Sequence, residues 1–510
     1  MAGSPSPSRD SKALSRGTLR FAAASERALV TALERAHGAG RVIHGRARDV
    51  VRVELDTYDR RLDRRGARVV HESDARGGAC RLRLADGREW RLGTERPDFA
   101  HDVGEGAARE ALGALAGERR LVEGSRRLLR RRPLRLVDGE GKTVVRAGVE
   151  LEREPVDGDD RPTLVLQPVR GYERELARLA ARLDQDPGLR RLRDAGAPAP
   201  GGRSSGRLPR DGTTAECLAR LLEERLETFL AQEAGLRADL DPEFNHDLRV
   251  AMRRTRSLLG ELGKALPRAA VEHLRDELRW LGGLTGPLRD LDVLAAELRA
   301  TPDLPPEDLR ALLEALGRRR DGALAALREG LDTPRYAALV RAWRELCEGP
   351  PPEDGPGARP FRARLARRLR KRSDALLARI HPDLAAGPVA DLHAVRIQAK
   401  KLRYLLECAK GLVAPKREAG ALATLKRLQE RLGALNDASV QGEALARLGR
   451  ELGAGGLTPT AEFWLGRLTE RAAARLDAER ALLPDALCAF TAQRARKDFE
   501  RLLADLERAP

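Results

Sequence analysis

Between residues 42 and 167 apolar side chains recur at every second position in short runs, and from Thr214 onward they recur at three- and four-residue spacing. Val51-Arg52-Val53-Glu54-Leu55, Cys80-Arg81-Leu82-Arg83-Leu84 and Thr163-Leu164-Val165-Leu166-Gln167 alternate as half-buried strands do. Asp86-Gly87 and Asp138-Gly139 supply turn chemistry between such runs. Thr18 to Phe21 reads as a further short strand, and Ser25 to His37 as a helix opened by a serine cap. Helical spacing also appears at Ala107 to Ala116 and closes the region at Tyr172 to Leu183. The expectation is a disordered start over residues 1–13 and a β-rich domain over 14–185.

Residues 186–213 are too rich in Gly, Pro and Ser to pack, with Asp186-Pro187-Gly188, Ala195-Gly196-Ala197-Pro198 and Ser204-Ser205-Gly206 in succession, so they are expected to be a flexible linker. Beyond it, helices are expected at about 214–236, 242–263, 268–300, 305–330, 333–348, 360–382, 388–411, 415–452, 459–483 and 485–507. Pro242, Pro267, Pro305, Pro334, Pro388 and Pro415 fall at their starts, where a missing N–H costs nothing. The predicted fold class is α+β multidomain, an antiparallel β domain followed by an all-α domain over 214–510.

The helical half repeats itself. His246-Asp247-Leu248-Arg249-Val250-Ala251-Met252-Arg253-Arg254-Thr255-Arg256 returns at an offset of 147 residues as His393-Ala394-Val395-Arg396-Ile397-Gln398-Ala399-Lys400-Lys401-Leu402-Arg403. Leu278, Leu281, Gly286, Leu288, Asp290 and Val293 return as Leu425, Leu428, Gly433, Leu435, Asp437 and Val440. An unbroken offset predicts two copies of one bundle of about four helices, at about 214–348 and 358–510. On a helical wheel His246, Arg249, Arg253 and Arg256 fall within an arc of roughly 80°, as do His393, Arg396, Lys400 and Arg403. Leu248, Met252, Leu258 and Leu259 face the other way, like Val395, Ala399, Leu405 and Leu406. Ordinary charged faces mix signs, but neither four-residue stripe contains an acid. The missing counterion is therefore expected to come from a ligand. Asp290 and Asp437 are expected to brace neighbouring bases.

Composition sharpens the ligand class. The formal charge is +17 and the isoelectric point about 10.3, which favours a polyanion. Only 3% of residues are aromatic, too few for the base-stacking platforms of single-strand binders. Five scattered cysteines without a CxxC pair exclude a zinc ribbon and point to a reducing compartment, the cytoplasm. There is no signal-peptide core and no apolar run long enough to span a membrane.

At Leu55-Asp56-Thr57-Tyr58-Asp59-Arg60-Arg61-Leu62 and the following Arg64 to Val70, the chain resembles the CYTH family, with a late strand, Gly171 and a terminal helix in the matching order. The resemblance implies an antiparallel tunnel barrel whose active members hydrolyse triphosphates with a divalent metal. It also implies an ExExK strand near the N-terminus and a second acidic strand before Gly171. Arg16-Gly17-Thr18-Leu19-Arg20 and Thr163, Val165 and Gln167 stand in those places. Without carboxylates a Mg²⁺ or Mn²⁺ ion lacks hard oxygen ligands, so the domain is expected to be degenerate, with no metal and no catalytic residue. Glu150 and Glu152 are expected to form surface ion pairs, and Arg81, Arg83, Arg88, Arg91 and Arg146 a solvated face.

The duplicated HxxRxxxRRxR and HxxRxxxKKxR stretches, each followed by LGxL and an Asp, resemble the CHAD family of conserved-histidine α-helical domains, across essentially all of residues 214–510. That resemblance implies two pseudo-symmetric bundles with a basic surface for inorganic polyphosphate. Carried over by position, the implied contacts are His246, Arg249, Arg253, Arg254, Arg256, His393, Arg396, Lys400, Lys401 and Arg403, with Arg279 and Lys426 from a second helix and Arg220 and Arg367 as weaker candidates. No cofactor, membrane or sequence-specific nucleic acid is expected as a partner, and the location implied is cytoplasmic, at polyphosphate granules. A metal-dependent triphosphatase and a general nucleic-acid binder are the alternatives. A bound polyanion is also expected to hold the histidines toward their charged form.

Overall fold

The computed structural model describes residues 19–38, 40–153, 162–192, 208–350, 354–453 and 459–508, and the chain divides into two units, Met1–Gly202 and Arg203–Pro510. The disordered N-terminus expected over residues 1–13, Arg16 to Thr18 of the expected metal strand, and residues 193–207 of the expected linker lie outside the described residues.

Among the described residues of the first unit, alternating apolar positions produce ten strands: β1 Leu19–Ala22, β2 Arg41–His44, β3 Arg48–Thr57, β4 Ala67–Asp74, β5 Gly77–Leu84, β6 Glu89–Gly93, β7 Leu121–Val137, β8 Thr143–Glu152, β9 Thr163–Pro168 and β10 Arg190–Leu192. Four helices accompany them: α1 Glu26–His37, α2 Arg61–Arg64, α3 Ala107–Ala116 and α4 Glu173–Leu183. The Ser25 hydroxyl caps α1, accepting from the Ala28 amide at 3.2 Å. All pairings are antiparallel, in the order β10-β1-β9-β8-β7-β3-β4-β5-β6, with β2 on β7. That order has two ends, and among the described strands no pairing joins them, so the closed tunnel implied by resemblance is not drawn by the hydrogen bonds. β10 corrects the linker boundary: Arg190 to Leu192 belong to the sheet, paired with β1.

β7 organises the sheet because it outruns its neighbours. Leu121 to Arg131 pair with β3, Leu134 to Val137 with β2, and Leu129 to Val137 with β8 on the other edge. Two cores follow. One packs α1 and α4 on Phe21, Leu134, Leu136, Val149, Leu164 and Leu166; the other packs α2 and α3 on Val53, Val69, Cys80, Leu82 and Leu121.

The second unit contains α5 Thr214–Arg237, α6 Pro242–Leu262, α7 Arg268–Arg299, α8 Pro306–Leu331, α9 Pro334–Glu348, α10 Gly355–Ala358, α11 Phe361–Leu377, α12 Val389–Glu407, α13 Pro415–Gly453, α14 Pro459–Ala481, α15 Leu483–Thr491 and α16 Gln493–Glu507. Among the described residues of this unit there is no strand. The expected last helix is split, with Ala492 in extended backbone between α15 and α16. Pro267, Pro305 and Pro388 occupy cap positions one residue ahead of their helices.

The repeat's leucines form the core: Leu278, Leu281 and Leu288 are buried, as are Leu425, Leu428 and Leu435. Val293 and Val440 recur as well, yet stand 46% and 52% exposed. The two copies share one continuous core, from Leu218, Leu248 and Leu274 to Leu365, Leu402 and Leu503. The buried Glu261 carboxylate on α6 accepts from Arg368 at 2.8 Å and Arg372 at 2.7 Å on α11, tying copy to copy.

Candidate functional site

α6 and α12, which carry the duplicated stripes, pack against each other. Each lays its apolar side into the shared core, with Leu248, Met252, Leu258 and Leu259 buried on α6 and Val395, Ala399, Leu405 and Leu406 on α12. The cationic sides consequently fall on neighbouring surface. The positive charge of Arg253 on α6 acts on Arg396 and Lys400 on α12, and equally on Arg249 and His246 of its own helix.

Crowded cations shift one another. Lys400 is pushed down to about 8, first by burial and then by Arg396 and Arg253, with Asp437 opposing. Arg249 and Arg396 are also lowered, chiefly by burial and in part by Arg253, while Arg256 is lowered by burial and then by Arg279 and Arg275. His246 lies below the ordinary histidine range because it is buried and because Arg289 and Arg253 oppose its protonation. Without an anion, then, His246 is held toward its neutral form.

The stripe is not bare of acids, which corrects the counterion expectation. Glu407, four residues beyond Arg403, sits 3.5 Å from the Arg403 Nε and 3.6 Å from the Arg254 Nε of the other copy. Tyr404 lies under both guanidinia at 5.4 and 5.9 Å. Asp437 stands 3.6 Å from Arg396, the bracing role expected of it, and Asp290 acts on Arg249 by charge. These contacts leave much of the donor capacity unused. The Nε–H groups of Arg249, Arg254, Arg396 and Arg403 are buried and, among the described residues, have no hydrogen-bond acceptor. A buried donor without an acceptor costs about 1–3 kcal/mol, which an incoming oxyanion would remove.

One arginine is already part of the scaffold. Arg249 donates from Nη1 to the Gly282 carbonyl at 3.0 Å and to the Thr285 hydroxyl at 2.9 Å, and Asn245 donates to the Thr285 carbonyl at 3.1 Å. These donors meet α7 where Pro287 interrupts its amide ladder. Arg279 is exposed and 2.5 Å from Asp276.

The copies differ at their histidine ends. His393 Nδ1 donates to the Asn436 side-chain oxygen at 2.8 Å, beside a cleft of about 310 Å³ between α12 and α13 lined by Leu392, Leu432, Leu435 and Val440. The position equivalent to Asn436 in the first copy is Arg289, 3.6 Å from Glu243. Sequence reasoning missed Arg289 because the offset pairs it with an uncharged residue. It also missed Glu407, although its i+4 spacing from Arg403 is a legible helix-pair signal.

The remaining candidates are less integrated. Lys401 is half-buried on α12, while Arg220 on α5 and Arg367 on α11 are exposed. Lys426 is 3.8 Å from Glu430. Among the described residues no ion pair or charge effect links Arg220, Arg367 or Lys426 to the α6/α12 group. Among the described residues no group of three or more His, Cys, Asp or Glu is arranged to hold a metal ion, and no helix is long and apolar enough to cross a membrane.

In the first unit the acids behave differently from expectation. Glu150 is buried, not at the surface, and it bridges Arg52 at 2.8 Å and Arg131 at 2.5 Å. Glu72 completes the set at 2.7 Å from Arg52 and 2.6 Å from Arg131. Burial would raise the Glu72 carboxyl, but Arg131 and Arg52 pull it down to about 2. Arg81 and Arg83 remain solvent-accessible, as expected of a solvated face, and each is paired with Glu89, at 3.4 and 3.1 Å.

Residues 220–446 match the CHAD domain family, and the match lies within the helical unit. A Mycobacterium tuberculosis protein of uncharacterised function is 31% identical over 227 residues, 42% of this chain and 43% of that protein. The chain therefore spans less than half the length of the curated relatives it matches. Among solved structures, the CHAD domain from the plant Ricinus communis is 30% identical, covering 54% of this chain and 93% of that one with a TM-score of 0.45. PptA from Streptomyces chartreusis is 23% identical, covering 54% and 99% with a TM-score of 0.42.

Proposed function

We propose, from a chain that carries a CHAD domain at residues 220–446, a family associated with polyphosphate binding, that the helical unit binds inorganic polyphosphate on the surface shared by α6 and α12. Arg253 is the observation that carries this proposal: it belongs to one copy and presses its charge on Arg396 and Lys400 of the other. A linear phosphate chain offers closely spaced charge and no bases, so it suits neighbouring guanidinium forks and ammonium groups. The Nε–H groups of Arg249 and Arg396, without an acceptor among the described residues, and those of Arg254 and Arg403, which share Glu407 at 3.6 and 3.5 Å, are the donors it would engage. His246, His393, Arg256 and Lys401 would flank the path, and Arg279 and Lys426 would extend it along α7 and α13.

Binding on this account is non-catalytic and places the protein with cytoplasmic polyphosphate stores. The first unit is a degenerate CYTH-like domain, in which the carboxylates nearest to ligand chemistry, Glu72 and Glu150, are already neutralised by Arg52 and Arg131.

Calorimetric titration of long-chain polyphosphate into the full chain tests the proposal. Arg253→Glu/Lys400→Glu is expected to weaken binding by about 100-fold or more, since it places two anions where an exposed guanidinium and a half-buried ammonium stood. Unchanged affinity in a folded variant would remove polyphosphate from this surface. Excess DNA or RNA should not displace the ligand, and displacement by either would turn the reading toward a general nucleic-acid binder.

A further inference from the structure

A second basic cleft lies elsewhere in the helical unit, between the start of α13 and α16. It measures about 590 Å³ and is lined by Lys416, Arg417, Gly420, Gln493, Arg494, Lys497, Asp498 and Arg501. Five cations face one carboxylate across it. Arg501 is 3.3 Å from that carboxylate, Asp498, and Arg417 is 3.5 Å from Asp505. Lys416, Arg494 and Lys497 have no ion-pair partner among the described residues. A Cβ at Gly420 would stand 3.8 Å from Asp498, so the two helices meet closely at the cleft floor.

The two walls are built to face each other. On α16, Gln493, Arg494, Lys497, Asp498 and Arg501 occupy an arc of roughly 140°, opposite the buried Ala495, Leu502, Leu503 and Leu506. On α13, Lys416, Arg417 and Gly420 share one side. Glu418, which feels the charge of Glu407 from the α6/α12 surface, points roughly 150° away from the middle of that side. The cleft and the duplicated stripes therefore use opposite faces of the first turns of α13.

The repeat separates them a second time. At the 147-residue offset Lys416 and Arg417 fall on Ala269 and Ala270 of the first copy, so this cleft arose in one copy alone. Both walls begin at helix starts, α13 at Pro415 and α16 at Gln493, the latter without a side-chain cap. Their amide dipoles add positive potential to the lysines and arginines already there.

We infer that this cleft is a separate binding site for a short condensed phosphate, of the size of tripolyphosphate, held by Lys416, Arg494 and Lys497 with Arg417 and Arg501 at its edges. Three unpaired cations offset much of the charge of a short phosphate run, and the volume falls within the roughly 300–1,000 Å³ of small-molecule sites. The ligand class is shared with the function proposed above, and the residues are not.

The test is calorimetric titration of tripolyphosphate into the full chain at fixed ionic strength, for the wild type, Lys416→Ala/Arg494→Ala/Lys497→Ala and Arg253→Glu/Lys400→Glu. The expected result is that the cleft variant binds one tripolyphosphate fewer per chain, or binds it about 100-fold more weakly, while the stripe variant retains that event. Orthophosphate at the same concentration should compete poorly; equal competition would overturn the condensed-phosphate assignment. A cleft variant with wild-type stoichiometry and affinity would overturn the site, whatever the stripe variant does. In the unmutated protein, saturating tripolyphosphate should slow amine acylation at Lys416 and Lys497 as read by peptide mass spectrometry. Unchanged acylation at both lysines would overturn the site independently of any substitution.

Discussion

The Glu72/Glu150 network of the β unit and the α6/α12 surface of the helical unit treat arginine in opposite ways. In the first, Arg52 and Arg131 are enclosed with Glu72 and Glu150 at 2.5 to 2.8 Å, and although burial works against their charge the carboxylates raise both guanidinia above their ordinary value. In the second, Arg249, Arg396 and Lys400 are lowered, first by burial and then by other cations. An arginine count therefore says little about binding. What distinguishes the two regions is whether the fold itself supplies the acid: a closed network stabilises the sheet, and an open one leaves charge for a ligand.

Glu150 holds the closed network together. Glu150→Gln removes the carboxylate shared by two buried guanidinia and is expected to destabilise the β unit by about 3–5 kcal/mol, read as an earlier unfolding transition, with polyphosphate affinity unchanged. An unshifted transition would mean that the network is incidental to the sheet. Acid should have the same effect more gradually. Glu72 and Glu150 are depressed in the folded state, so they contribute stability above the ordinary glutamate range, and that stability is lost as pH falls from there toward the value of about 2 held by Glu72.

In the free protein Lys400 stands at about 8, below an ordinary lysine. A bound polyanion raises it, so binding takes up a proton above about pH 8 and affinity declines as pH rises through that value. His246, lowered in the free protein, adds the same sign at mildly acidic pH, where affinity should rise as pH falls. Titration in buffers of different ionisation enthalpy at pH 8.5–9 measures the uptake. A heat independent of buffer, or affinity flat from pH 6 to 9, would separate these groups from the ligand.

The smallest effect is expected at Arg220 and Arg367, both exposed and unlinked to the α6/α12 group. Arg220→Ala and Arg367→Ala should each change polyphosphate affinity less than about two-fold, as exposed surface charges do. A ten-fold loss at either would extend the binding surface onto α5 or α11.

Local spacing in the sequence set much of this architecture. The three- and four-residue periodicity and the starting prolines located the long helices to within a few residues, and Ser25 announced α1, because caps and apolar faces are local physics. The duplicated motif likewise placed His246, Arg249, Arg253 and Arg256 on one side of α6, and their counterparts on one side of α12. β10 escaped because Arg190 to Leu192 are too short and too polar to read as a strand without β1 beside them. The break at Ala492 escaped because apolar spacing continues across it.

Only the tertiary structure decided which charges meet. Arg254 and Glu407 are far apart in the chain, as are Arg253 and Lys400, and the shared leucine core brings each pair together. Val293 and Val440 were repeated as faithfully as the leucines around them and still lie exposed. Burial, and the displacement of a lysine to about 8, depend on what the neighbouring helix presents. The periodicity of one segment fixes the direction in which its side chains point, and the packing of segments fixes what those side chains find there.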